Sequence, residues 1–415
     1  MTAADAFLEQ IESIPAIDVH SQLHINSPQA ESPADILLPR EIEAELRAAG
    51  APPQVFDIVS GREKLEKVHK RLPEIANTAA YWCLRQILAD LFGIAQAPHE
   101  LSADALWERV AEGSSGTDWP DNVLRKANVS HVMSTCVWHR PVPQASGGFS
   151  PVVTLDSLLN EPHTPRALER LTDVTGQTVY EAADLKKAIV ELFERAKAAG
   201  AVAASGAYNP QVDFEPGSLD AADRVLSLVL LGQKTNRDDR RTLRSYVLDV
   251  VLAQCAQHSM PFQLMLGVRR GAAGDRSISG YETGMLVGYS EVFVRHADVL
   301  FDVIPANLTL AHEVAALARV YANVYVSGCT GFVAFPRHVR SLLRERIEML
   351  PKGKCCALFS DEACAEWVYG RCRLARRELA AALSQMVDEG YLTSAAAMDV
   401  ARGYLSENAR RIYHL

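Results

Sequence analysis

Ala16-Ile-Asp18-Val-His20-Ser-Gln22-Leu-His24 is the stretch on which the reading of this chain turns. An apolar run, Ile14-Pro-Ala-Ile17, leads directly into Asp18 and His20, the pattern of a short buried strand ending in polar side chains. In parallel α/β folds ligands gather at the carboxyl ends of strands, so an active site is expected to begin here. A metal-binding strand of the form Asp-x-His-x-His needs a second imidazole where this chain has Gln22, whose neutral amide is a far weaker ligand. His24, two residues on, could take its place or point into the loop that follows.

Outward from that strand, the spacing predicts seven more apolar runs, over residues 129–135, 151–155, 201–205, 261–267, 299–304, 324–329 and 356–361, each with a helical follower. Eight such β/α units predict a (β/α)₈ TIM barrel formed by residues 1–415 as one domain. Between the first two runs the apolar period is near 3.6, as in Tyr81-Trp82-Cys-Leu-Arg-Gln-Ile-Leu-Ala-Asp-Leu-Phe92 before Gly93, which predicts a mostly helical insertion at 34–120.

Composition narrows the partners. At 48% hydrophobic and 22% charged residues, the chain has ample material for a core. A formal charge of −9 argues against nucleic acid or an anionic membrane, both of which want a basic face. The acidic, amphipathic N-terminal stretch does not read as a secretory signal, and no run is long enough to span a bilayer. The eight cysteines show no paired framework, so a reduced, cytoplasmic setting is expected. A small-molecule substrate and no organic cofactor complete the expectation; a homo-oligomer is compatible with it.

Candidate chemistry follows from strand ends. Asp361 follows the last apolar run and could bind a metal or act as a general base, with a helix N-cap as the competing role. His20 could be a ligand, an acid/base group or a satisfied core histidine. His139-Arg140 ends the second run, and Arg269-Arg270 follows Gly267; either pair could hold an anion or sit in a charged loop. Asp302 could be a further carboxylate at the mouth or a residue of a loosely patterned segment, and His312-Glu313 opens a predicted helix, where capping competes with catalysis. Ser205 and Ser327 are strand-end hydroxyls with no histidine beside them in sequence.

Taken together these residues resemble the amidohydrolase superfamily, in its uronate isomerase branch. The resemblance runs over nearly the whole length: the Asp18-x-His20 strand, Lys126-Ala-Asn-Val-Ser-His-Val-Met133, Leu155-Asp-Ser-Leu-Leu-Asn-Glu161, Met260-Pro-Phe-Gln-Leu-Met-Leu-Gly-Val-Arg269, His312-Glu313 and Ser360-Asp361. It implies a distorted barrel, one divalent metal such as zinc, and interconversion of an aldehyde sugar acid with its ketose. The first-strand histidine pair and the last-strand aspartate surround the metal in that family. His20 and Asp361 match, and Gln22 does not. The His-Tyr pair of the family's insertion corresponds to the region of Arg40-Glu41, which makes Arg40 a candidate substrate contact. Two residues after the aspartate, where the family has an arginine for the substrate carboxylate, this chain has Ala363.

Three readings stand at this point. One is isomerase- or lyase-type proton transfer on a small carboxylated or hydroxylated substrate, with a weakened metal site or none. Another is a metal-dependent hydrolase with an altered zinc site built from His20, His24 and Asp361. The last is an inactive relative kept as a binding or partner protein.

Overall fold

The structure is a computed structural model and describes residues 3–207, 215–270, 277–279, 285–328 and 334–415. Eight parallel strands form the barrel: β1 (Ala16–Ser21), β2 (Val129–Val137), β3 (Phe149–Thr154), β4 (Ala203–Ala207), β5 (Phe262–Leu266), β6 (Phe301–Pro305), β7 (Val324–Ser327) and β8 (Cys355–Cys356), hydrogen-bonded in that order. The predicted (β/α)₈ barrel is what the chain adopts. A short antiparallel hairpin, Val268–Arg270 with Ser277–Ser279, is added after β5. Among the described residues no helix is long and apolar enough to cross a membrane.

Between β1 and β2 lie only helices and turns, from Pro33–Leu37 to Trp119–Lys126. Their termini carry the expected signals: the Thr78 hydroxyl accepts from the Tyr81 amide at one helix start, and Gly93 closes that helix in the left-handed conformation that a side chain would strain. The long helix Ala365–Asp388 packs against Ala3–Glu12, Ala79–Phe92 and Pro336–Met349, so it joins this helical layer to the barrel. Glu366, fully buried on it, accepts from Trp119 Nε1 at 2.7 Å and from the Ala30 amide at 3.2 Å.

The barrel closes along a seam. Only Cys355–Cys356 is regular in β8, but the chain continues beside β1: Val19 N donates to Leu358 O (3.2 Å), Asp361 N to His20 O (3.0 Å) and Gln22 N to Glu362 O (2.9 Å). The bore carries an apolar cluster from strands all round it, with Ile17, Val19, Met133, Val152, Ala203 and Ile304, and is filled from the C-terminal helix Asn408–Tyr413 by Ala409, Ile412 and Tyr413. A rung of polar residues crosses the bore from β3 to β6: Thr154, Ser205, Gln263 and Asp302 stand level on neighbouring strands.

Candidate active site

His20 is placed by an irregularity in its strand. From Asp18 to Ser21 β1 advances three residues while β2 advances two, from Val132 to Ser134, so the pairing slips by one residue. Such a bulge changes the inward–outward alternation and re-aims a side chain. His20 is thereby turned into the barrel, where its ring stacks on Phe359 at 4.7 Å and 15°. Its Nδ1 lies 2.7 Å from Gln263 Oε1, across the bore on β5. Its Nε2 is 4.0 Å from Asp361 Oδ1.

Asp361 has a left-handed backbone, φ +56°, which turns its carboxylate back over the end of β1. Gln22 Nε2 donates to Asp361 Oδ1 at 2.7 Å. Among the described residues no hydrogen-bond donor reaches Asp361 Oδ2. The helix that follows is capped at Cys364, so Asp361 is not its N-cap. The imidazole is 5% exposed and the carboxylate 31%, which puts the pair at the boundary between core and open mouth.

Asp18 differs from its neighbour in role. It is completely buried and faces the seam, not the mouth: Oδ1 accepts from Ser360 N at 3.0 Å and Oδ2 from the Ser360 hydroxyl. Burial pushes its carboxyl up to about 6 against those hydrogen bonds. Glu362, also in the seam, is pushed by burial up to about 7 against the pull of Arg371, whose Nε it meets at 2.6 Å. A raised carboxyl means that the folded protein holds a proton that the unfolded chain has already released. Folding stability from Asp18 is therefore full below about pH 4 and lost as pH rises to about 6, on the order of 3 kcal/mol. Urea titrations of wild type and Asp18→Asn from pH 4 to 7 are expected to show the gap between them shifting toward the variant as pH rises. A pH-independent gap would contradict this account.

Gly328, just past β7, holds φ +55°, and a Cβ there would lie 2.1 Å from Phe359 Cβ. Phe359 carries the His20 ring, so Gly328→Ala is expected to destabilise by roughly 2–4 kcal/mol through strain and overpacking, read by chemical denaturation.

The other expected residues do not join the pair. His24 is exposed, its backbone bridging Ser27 in a turn, and supplies no third donor beside Asp361. His139 and Arg140 lie beyond β2, where the His139 imidazole is lowered by burial and by Arg170, Arg140 and Arg166. Asp302 is not at the mouth but low in the bore, where it accepts from the Tyr413 hydroxyl. His312 sits inside helix Leu308–Val320, which Asn307 caps, and pairs with Glu345 on the surface. The Arg269 and Arg270 side chains lie outside the described residues. Arg40 is exposed at the start of helix Arg40–Ala48; its neighbour Glu41 reaches Arg371, at 3.7 Å, and so approaches the Glu362 seam. Gln263 and Tyr413 were not expected at all. The one legible sign was a lone glutamine inside an apolar strand, Pro261-Phe-Gln-Leu-Met-Leu266.

A zinc-like ion asks for three or four converging imidazole, thiolate or carboxylate donors. Here two converge, His20 and Asp361, and Gln22 turns its amide N–H toward the carboxylate. Among the described residues no group of three such side chains is assembled. The residues present do not fit a tightly held ion of that kind.

These elements define a distorted (β/α)₈ barrel with a helical layer after its first strand and a histidine–aspartate pair at its mouth. The chain has the fold of the uronate isomerases. It superposes over 99% of its length on uronate isomerase from Thermotoga maritima (TM-score 0.87, 16% identity, 97% of that chain), glucuronate isomerase from Caulobacter crescentus (0.86, 15%, 94%) and a uronate isomerase from Bacillus halodurans (0.81, 21%, 96%). No protein-family model matches the sequence, and no curated protein does.

Proposed function

We propose that this protein is an isomerase that moves a proton between adjacent carbons of a small sugar acid, interconverting aldehyde and ketone forms. One observation carries the reading: an imidazole nitrogen and a carboxylate from opposite ends of the chain face each other across 4.0 Å at the barrel mouth. At that spacing one substrate oxygen can sit within hydrogen-bond reach of both.

The chemistry then follows from the groups present. Asp361 takes the hydrogen from the carbon beside the carbonyl and returns it to the neighbouring carbon. His20 Nε2 takes the proton of the adjacent hydroxyl and delivers it to the former carbonyl oxygen, completing the enediol exchange. Gln22 holds the carboxylate in place through Oδ1, leaving Oδ2 for the carbon-bound proton. General acid–base transfer of this kind contributes about 10²–10⁴-fold. We assign the substrate carboxylate to Arg40, on the helix whose Glu41 reaches Arg371, in place of the arginine absent at Ala363.

Uronates and their keto isomers incubated with the protein in D₂O are expected to take up deuterium at the carbon next to the carbonyl, visible by proton NMR. Dialysis against a chelator is expected to leave that exchange unchanged. Absence of exchange across aldehyde and keto sugar acids would overturn the reading.

A further inference from the structure

Behind His20 a chain of buried side chains runs down the bore, and a backbone carbonyl fixes the direction of every hydrogen bond in it. Val19 O has no proton to give, so the Gln263 atom 2.7 Å away must be the amide nitrogen. That nitrogen also lies 2.9 Å from the Tyr413 oxygen, which must accept from it. The Tyr413 hydroxyl proton is then free for Asp302 Oδ2, its other neighbour. With both amide hydrogens committed, Gln263 Oε1 is left facing His20 Nδ1 at 2.7 Å, and as a carbonyl oxygen it can only accept. All four side chains are buried.

The lower end of the chain agrees with this order. Burial pushes the Asp302 carboxyl up, opposed by the hydroxyls of Tyr413 and Ser327; the Ser327 oxygen lies near without hydrogen-bond geometry. Ionised or neutral, Asp302 keeps an oxygen able to accept from Tyr413. Flipping the Gln263 amide would set its oxygen against the Val19 carbonyl, two acceptors face to face, and leave one amide hydrogen without a partner, at a cost of about 1–3 kcal/mol for each unmade bond.

From this geometry we infer that Gln263 is a positioning residue: buttressed by Tyr413 and Asp302, it sets the tautomer of His20, so that a ring carrying one proton holds it on Nδ1 and turns a bare Nε2 toward Asp361. The two ring nitrogens of a histidine are distinguished by the hydrogen bond that one of them makes. The helix Asn408–Tyr413, which enters the bore opposite the mouth, is thereby part of the active-site architecture. The inference rests on the isomerase reading only for what bare Nε2 does there.

The test reads the tautomer directly. With histidine ring-¹⁵N labelling at mildly alkaline pH, and with His20→Gln to assign its signals, two-bond ¹⁵N–¹H correlations report which nitrogen carries the proton. Wild type is expected to show His20 protonated on Nδ1. Gln263→Leu is expected to lose that preference. Tyr413→Phe, which frees one amide hydrogen, is expected to give a mixture and serves also if Gln263→Leu does not fold. Deuterium exchange is expected to fall roughly 10–100-fold in Gln263→Leu. His20 protonated on Nε2 in wild type, or the same tautomer in wild type, Gln263→Leu and Tyr413→Phe, would overturn the inference. Failure of every sugar acid to exchange would remove the isomerase reading and leave the tautomer result standing.

Discussion

Asp361→Asn is expected to reduce deuterium incorporation into a responsive sugar acid by 10²–10⁴-fold while the protein melts within a few degrees of wild type. The argument is local. An amide keeps the size of the side chain and can still accept from Gln22 Nε2 through its oxygen, preserving the 2.7 Å contact that holds it in place. It cannot take a proton from carbon. The backbone bond from Asp361 N to His20 O does not involve the side chain and remains. Exchange within threefold of wild type would mean that another group is the base.

The second large effect is a gain. Gln22→His is expected to confer zinc binding roughly 100-fold or more tighter than wild type, measured by dialysis against a competing chelator. Gln22 already touches Asp361, and His20 lies two residues earlier on the same strand with Nε2 4.0 Å from the same carboxylate. An imidazole at position 22 would bring the donors to three, two nitrogens and a carboxylate, a ligand set found in catalytic zinc sites. Equal affinity in both proteins would show that the amide is not what limits binding.

The barrel was legible because its eight apolar runs recur with helices between them, and burial from both sides leaves parallel strands little other vocabulary. His20 and Asp361 were legible for the same reason, each following an apolar run. The reason they meet was not. It lies in a slipped register at Asp18–Ser21 and a left-handed residue at 361, backbone events that side-chain types do not announce. Asp18 shows the limit from the other side: it has the look of a site residue and is spent on Ser360. Asp302 stays open between the mouth and a less regular segment in the sequence, because its strand is visible there but its depth in the bore is not. Tyr413 could not be placed at all, since nothing in a terminal helix says which end of a barrel it enters.

Asp18 and Ser360 are 342 positions apart along the chain. Loop closure has to be met before so remote a contact can stabilise anything, and such contacts tend to form late and slowly. The histidine and the aspartate cannot come together before those two ends do. Recovery of activity after dilution from denaturant is therefore expected to lag the return of helical signal, and a partly assembled barrel is a species without chemistry.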